Sequence, residues 1–284
     1  LFGVENVPHG DTLNYGYKRL KVDEVQGVIC RCVERLIRKK VLYRYRLLGV
    51  YYLVVIDGTG VATFQERHCE HCLKKTMSNG ETIFYHPILE AKLVTSNGFA
   101  FSMMTEFIEN TDLSADKQDC ELKAFYRLAG RLKARFPRLP ICLLLDGLYA
   151  GGPTFKLSED NGWKYLIVLR DDDLPSVNRS YATVLPHLPQ NHKQVRLGKQ
   201  GQIVQDYAWA ENLAYADTQN NQHSLNVIEC LESEPNAEGQ IESTHYKWLT
   251  NFTLTAHNVD RLANQGGRLR WKIENEGFNV QKNS

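Results

Sequence analysis

The stretch Leu53-Val54-Val55-Ile56-Asp57-Gly58-Thr59-Gly60 decides how the rest of the chain is read. An apolar, β-branched run of this length fits a buried strand. It ends on one carboxylate, followed by two glycines and a threonine. An acid at the mouth of a buried strand is costly unless a cation or a metal pairs with it. The phrase recurs once, as Ile141-Cys142-Leu143-Leu144-Leu145-Asp146-Gly147. Two such strands would bring two oxygen ligands to one sheet edge. Oxygen-only ligation suits Mg2+ or Mn2+.

Upstream of Asp57, residues 1–20 are polar and turn-rich. From Val22 to Leu42 the apolar residues Val25, Val28, Ile29, Cys32, Val33, Leu36 and Ile37 recur at helical spacing. Arg31, Arg35, Arg38, Lys39, Lys40, Arg44 and Arg46 form a basic patch, with Glu34 the only acid in that span. Such a patch contacts phosphates; the bland alternative is a solvated helix face.

Downstream of Asp57 lies Arg67-His68-Cys69-Glu70-His71-Cys72. The Cys-x-x-Cys spacing is right for half a zinc site, and a histidine pair from His68, His71 and His86 would complete the four ligands. Cys69, Cys72 and His86 are the candidate zinc ligands; a pair of reduced loop cysteines is the alternative. Thr82 to Val94 and Phe99 to Ile108 read as strands joined at Ser96-Asn97-Gly98, since Asn-Gly is a hairpin signal. Ser114 to Phe136 is an expected helix, with Leu122, Phe125, Leu128, Leu132 and Phe136 on its apolar face and Pro137 and Pro140 beyond it. Its leading acids suit the helix dipole and are given no chemistry. A short helix from Gly151 to Asn161 and a strand from Trp163 to Leu169 follow the Asp146 strand. Asp171-Asp172-Asp173 reads as a solvated turn.

From residue 171 to 252 the character changes to short strands: Gln194 to Leu197, Gln202 to Trp209, Ser224 to Leu231 and His245 to Phe252. The expected organisation is therefore a helical, basic segment over 1–48, an α/β unit over 49–170 and 253–284, and a β-rich insertion over 171–252. Asn258 opens a helical turn that Gly266-Gly267 breaks. A further helix is expected from Arg268 to Lys282, where Arg270 and Glu274 share a face. A solvated i,i+4 pair is the plain reading of that face, with Trp271 and Phe278 in the core.

Composition sets wide bounds. The 284 residues, 43% hydrophobic and 24% charged with a net charge of +1, are ordinary for a globular protein. Seven scattered cysteines argue against a disulfide framework and fit a reducing cytosol. No apolar run approaches the ~20 residues that span a membrane. The start on Leu1 and the stop on Ser284, close behind a patterned helix, give the expectation of a fragment.

The order strand, strand, strand, helix, strand, helix, strand, with acids on the first and fourth strands, is similar to the RNase H-like fold, a mixed sheet flanked by helices. Taken with Arg268 to Lys282, the chain resembles the DDE transposases of bacterial insertion sequences, in the group with a β-rich insertion before the catalytic glutamate. That group has Tyr, two residues, Arg, three residues, Glu, six residues, Lys. Arg270 and Glu274 fit; the Tyr position falls on Gly267 and the Lys position on Gln281, with Lys282 one step late. The resemblance implies metal-dependent DNA cleavage at element ends and strand transfer into target DNA. It implies Asp57, Asp146 and Glu274 as ligands for two Mg2+ or Mn2+ ions about 4 Å apart. Arg270 and Lys282 would contact phosphates, and Arg38, Lys39 and Lys40 become a DNA surface. Terminal inverted repeats and target DNA would be the partners, a homodimer or larger multimer the working form, and the bacterial nucleoid the location. The alternatives are a plain metal-dependent nuclease on the same fold, and a DNA- or zinc-binding protein that has lost catalysis.

Overall fold

The structure is a computed structural model that describes residues 8–110 and 118–279. Two helices, α1 (Gly10–Tyr17) and α2 (Val22–Arg38), precede four strands: β1 (Tyr52–Phe64), β2 (Leu73–Thr76), β3 (Thr82–Val94) and β4 (Ala100–Phe107). Then come α3 (Glu121–Arg135), β5 (Ile141–Leu145), α4 (Gly152–Asn161), β6 (Lys164–Val168) and α5 (Pro175–Val184). Four strands follow, β7 (His192–Leu197), β8 (Ile203–Ala216), β9 (Gln222–Pro235) and β10 (Ile241–Thr250), and then α6 (Val259–Asn264). A 3-10 turn (Gly267–Trp271) and a π-helical turn (Ile273–Phe278) close the described chain.

The protein is a mixed α/β structure built on one mixed sheet. The strands run in the order β2-β3-β1-β5-β6-β10-β9-β8-β7, with β4 also paired to β3. β5 is parallel to β1 and to β6. The other pairings are antiparallel.

Alternation along β1 sends its side chains to two cores. Val54 and Ile56 join Cys30 and Val33 of α2, Phe125 and Leu128 of α3, Phe155 of α4 and Tyr181 of α5. Leu53 and Val55 join Val259 and Leu262 of α6, with Leu269, Ile273 and Phe278 of the closing turns. Burial on both faces explains why β1 and β5 read as unbroken apolar runs. Each such side chain stabilises the fold by roughly 1.5–3 kcal/mol.

Several expectations change in the structure. In α2 the buried stripe is Cys30 and Val33, with Ile29, Leu36 and Ile37 half-buried, while Val25, Val28 and Cys32 are exposed. Gln26 lies on the inner face instead, its Oε1 accepting from Thr105 N at 3.2 Å. A polar residue that satisfies a neighbouring strand rotates the apolar stripe away from the one hydropathy alone picks. Residues 114–117 of the expected helix lie outside the described residues, and α3 begins only at Glu121. Gln118 pairs with both backbone groups of Lys74, and Asp119 is held by Arg127, so neither is free to enter a helix. α5 and β2 were not expected: Pro175 supplies a helix start within a polar stretch, and β2 is too short to show a period. The helix expected from Arg268 to Lys282 is the 3-10 turn followed by the π turn, and Gln281 and Lys282 lie outside the described residues. Phe278 is core, but Trp271 is 53% exposed.

Candidate acidic site and a cysteine–histidine cluster

The register of β1 with β5 brings the two strand acids together. Val55 lies opposite Leu144, so two residues further on Asp57 and Asp146 share the sheet edge. Both have the same parity as side chains of the core beneath α6 and the closing turns. Asp57 Oδ1 accepts from Gly58 N at 3.0 Å. Asp146 Oδ1 accepts from Leu148 N at 2.9 Å and caps the short turn that ends β5.

Arg270 comes to this edge from the 3-10 turn. Its Nη1 lies 3.4 Å from Asp57 Oδ2 and its Nη2 3.5 Å from Glu274 Oε1. One buried guanidinium thus links the acid of β1 to the acid of the π turn. Burial pushes the Asp57 carboxyl up to about 6; Asp146 and Glu121 push the same way, and Arg270 and the Gly58 N–H oppose them. Arg270 Nε is buried without a hydrogen-bond partner. Short π turns recur at functional sites because they re-aim side chains within a helix.

Glu121 is the residue that sequence reading passed over. It opens α3 on the opposite face of the sheet, and Tyr149 Oη donates to its Oε1 at 2.6 Å. A Cβ on Gly58 would lie 2.5 Å from Glu121 Oε2, so the carboxylate occupies the space that a side chain at 58 would fill. Burial raises the Glu121 pKa, Tyr149 opposes that, and the Asp146 charge adds to it. Gly58, directly behind the strand acid, was the signal in the sequence. Beside Asp57 across the strand pair is Glu90, buried with Lys92 at 3.0 Å and hydrogen-bonded by Ser102. That ion pair is satisfied within the core.

The remaining expected residues are scattered. Arg38, Lys39 and Lys40 are exposed where α2 ends, and α2 packs on β4. No hydrogen bond or ion pair joins them to the acids among the described residues. Asp171 pairs with Lys247 at 3.1 Å, and Asp173 Oδ2 accepts from Arg170 N at 3.0 Å, as a turn requires.

Cys69, Cys72 and His86 do converge. Their ligand atoms are separated by 3.8 Å (Cys69 Sγ to Cys72 Sγ), 3.4 Å (Cys69 Sγ to His86 Nε2) and 3.2 Å (Cys72 Sγ to His86 Nε2). His68 stacks on Phe64, ring centroids 4.5 Å apart, and so faces away to packing. Burial pushes the Cys72 thiol up, but the N–H groups of Cys69 and His68, the Cys69 thiol and Arg67 outweigh it and the net shift is downward.

No family model matches the chain, and no curated protein matches it. Among the described residues no helix is long and apolar enough to cross a membrane.

Proposed function

We propose that the chain is a DDE transposase of the bacterial insertion-sequence type, cutting DNA at element ends and joining the freed 3′-hydroxyl to target DNA. The observation that carries this reading is the Arg270 bridge, which links Asp57 to Glu274 while the β1–β5 register sets Asp146 beside Asp57. On this reading β4-β3-β1-β5-β6 is an RNase H-like core, and β7 to β10 are its β-rich insertion.

The chemistry of the donor set suits Mg2+ or Mn2+, while the three acids do not form a group whose ligand atoms all lie within 4.8 Å of one another. The set offers carboxylate oxygens only, and Asp57 is desolvated among like charges with one guanidinium opposite. Asp57, Asp146 and Glu274 would hold the ions, which when bound would activate an attacking oxygen and stabilise a leaving one in an in-line displacement. The protein's own groups do the rest. Arg270 orients Asp57 and Glu274 and presents a cation to a phosphate oxygen. Glu121, held by Tyr149, keeps negative potential under Gly58. The exposed Arg38, Lys39 and Lys40 offer sequence-independent phosphate contacts. A Cβ at Gly267 would lie 2.5 Å from Trp248 Nε1, so an indole fills the space at the position where the group the chain resembles carries a tyrosine.

The test is cleavage and strand transfer on a labelled duplex of the DNA ends that flank the coding frame. It compares wild type with Glu274→Ala in magnesium, manganese, calcium and chelator. Magnesium-dependent cutting and joined products, both lost in the variant, are expected. Cutting without joining would point to a nuclease on the same fold, and DNA binding without cutting to a chain that has lost catalysis.

A further inference from the structure

We propose that Cys69, Cys72 and His86 hold a zinc ion that fastens the β1–β2 connection to β3, with His71 as the fourth ligand. The acids, and what they do to DNA, have no part in it.

The geometry is that of three corners of a tetrahedron without its centre. Zinc–sulfur bonds of about 2.3 Å and zinc–nitrogen bonds of about 2.0–2.1 Å give tetrahedral edges of about 3.8 Å between sulfurs and about 3.5 Å from sulfur to nitrogen. The structure has 3.8 Å between the sulfurs, and 3.4 and 3.2 Å from each to His86 Nε2. These are the group of cysteine, histidine, aspartate and glutamate side chains among the described residues whose ligand atoms lie within 4.8 Å of one another. A disulfide would bring the sulfurs to about 2.05 Å and leave the imidazole between them without a role.

The placement gives the ion something to fasten. Cys72 directly precedes β2, a strand of four residues at the sheet edge that pairs with β3 alone. His86 is on β3, opposite Ala62 and just past the register shift in β1. Four residue steps along β3, roughly 13 Å, separate His86 from Glu90, the cross-strand partner of Asp57. The zinc ion is therefore too far away to share a ligand with the acids. A loop of Gln65 to Cys72 with little apolar packing gains a fixed anchor in this way.

The fourth corner belongs to His71. Its Nδ1 is buried with no hydrogen-bond partner, while its Nε2 faces Glu70 at 3.6 Å. His71 is outside the three-atom cluster in this structure, and its assignment as fourth ligand requires the ring to turn toward the sulfurs.

The test uses the full chain, purified without chelator and dialysed into metal-free buffer. Elemental analysis is expected to find about one zinc per chain. The ion should be retained in Asp57→Asn and lost in the double variant Cys69→Ser/Cys72→Ser and in His86→Ala. His71→Ala should lose zinc to EDTA faster than wild type does; unchanged retention would overturn the fourth-ligand assignment. Replacement by cobalt(II) should give thiolate-to-metal charge-transfer absorption in the wild-type protein, a readout that needs no variant to fold. Wild type without zinc and without those bands would overturn the proposal. So would full zinc retention in the double variant, or a mass showing Cys69 and Cys72 oxidised to a disulfide.

Discussion

Asp57 sits at the sheet edge with Asp146 beside it, Glu121 behind it and the Arg270 guanidinium opposite, and its titration reports on all of them. The unfolded chain ionises it near 3.8 and the folded chain near 6. Between those values the folded state binds more protons than the unfolded one, so metal-free stability falls as pH rises from about 4 to about 6. A tenfold difference in proton affinity between the two states is worth about 1.4 kcal/mol, so the loss across this window is on the order of 2–3 kcal/mol. Thermal melts of metal-free protein should show this loss in wild type and not in Asp57→Asn, which melts higher at pH 7. A wild-type melting curve flat across that window would show that burial does not strain Asp57. Glu121 gives a second prediction. Gly58→Ala puts the new methyl against the Glu121 carboxylate, which must turn from Tyr149 to admit it, and should destabilise by about 1 kcal/mol for the lost hydrogen bond; Glu121→Ala should remove most of that penalty. Additive effects in this double-mutant cycle would mean the two do not meet. Both strand acids were legible in sequence because a carboxylate that ends an apolar run is chemically conspicuous. Glu121 was not, since an acid at a helix start has an ordinary electrostatic explanation and its partner is a glycine far away in the chain.

Elements were legible where one period dominates. β3 falls where the Asn-Gly turn puts it, and α4 and β6 fall close to their expected ends. The stripe of α2 was misread because hydropathy cannot see that Gln26 satisfies the backbone of β4. The closing helix was misread because its 3.6-residue pattern hides a change of winding between the 3-10 and π turns. That change matters to Arg270, whose two amino groups diverge to two carboxylates. Lysine is a point charge and cannot make that fork. Carboxyl titration by NMR should therefore find the Asp57 midpoint above about 6 in Arg270→Ala, with Arg270→Lys between it and wild type. An unmoved midpoint in Arg270→Ala would exclude the guanidinium as the opposing charge.

For the whole molecule, the mixed sheet with helices on both faces was readable from element order. The joining of β10 to β6 was not, because pairing between distant strands leaves no local trace. The exposed cations at the end of α2 belong to this scale, since they act through the field of the surface. Replacing Arg38, Lys39 and Lys40 together by alanine should weaken duplex binding and flatten its salt dependence, by about 0.9 in the log–log slope for each phosphate contact removed. Binding measured across a salt series reads this directly, and an unchanged slope would assign those residues to solvent.

The Arg270–Asp57 contact spans 213 residues, and that distance has a temporal meaning. A ribosome adding about 5–20 residues per second leaves roughly 10–40 s between the synthesis of the acid and that of its counter-cation. Throughout that interval β1 and β5 can already be paired, with their carboxylates at one edge and the Arg270 guanidinium not yet made. The nascent chain thus carries the least favourable version of its own pocket, and the pocket reaches its final state only when the last tenth of the chain folds back across the sheet. A product that stops short of Arg270 would keep the strands and lack the charge balance on which the acids depend.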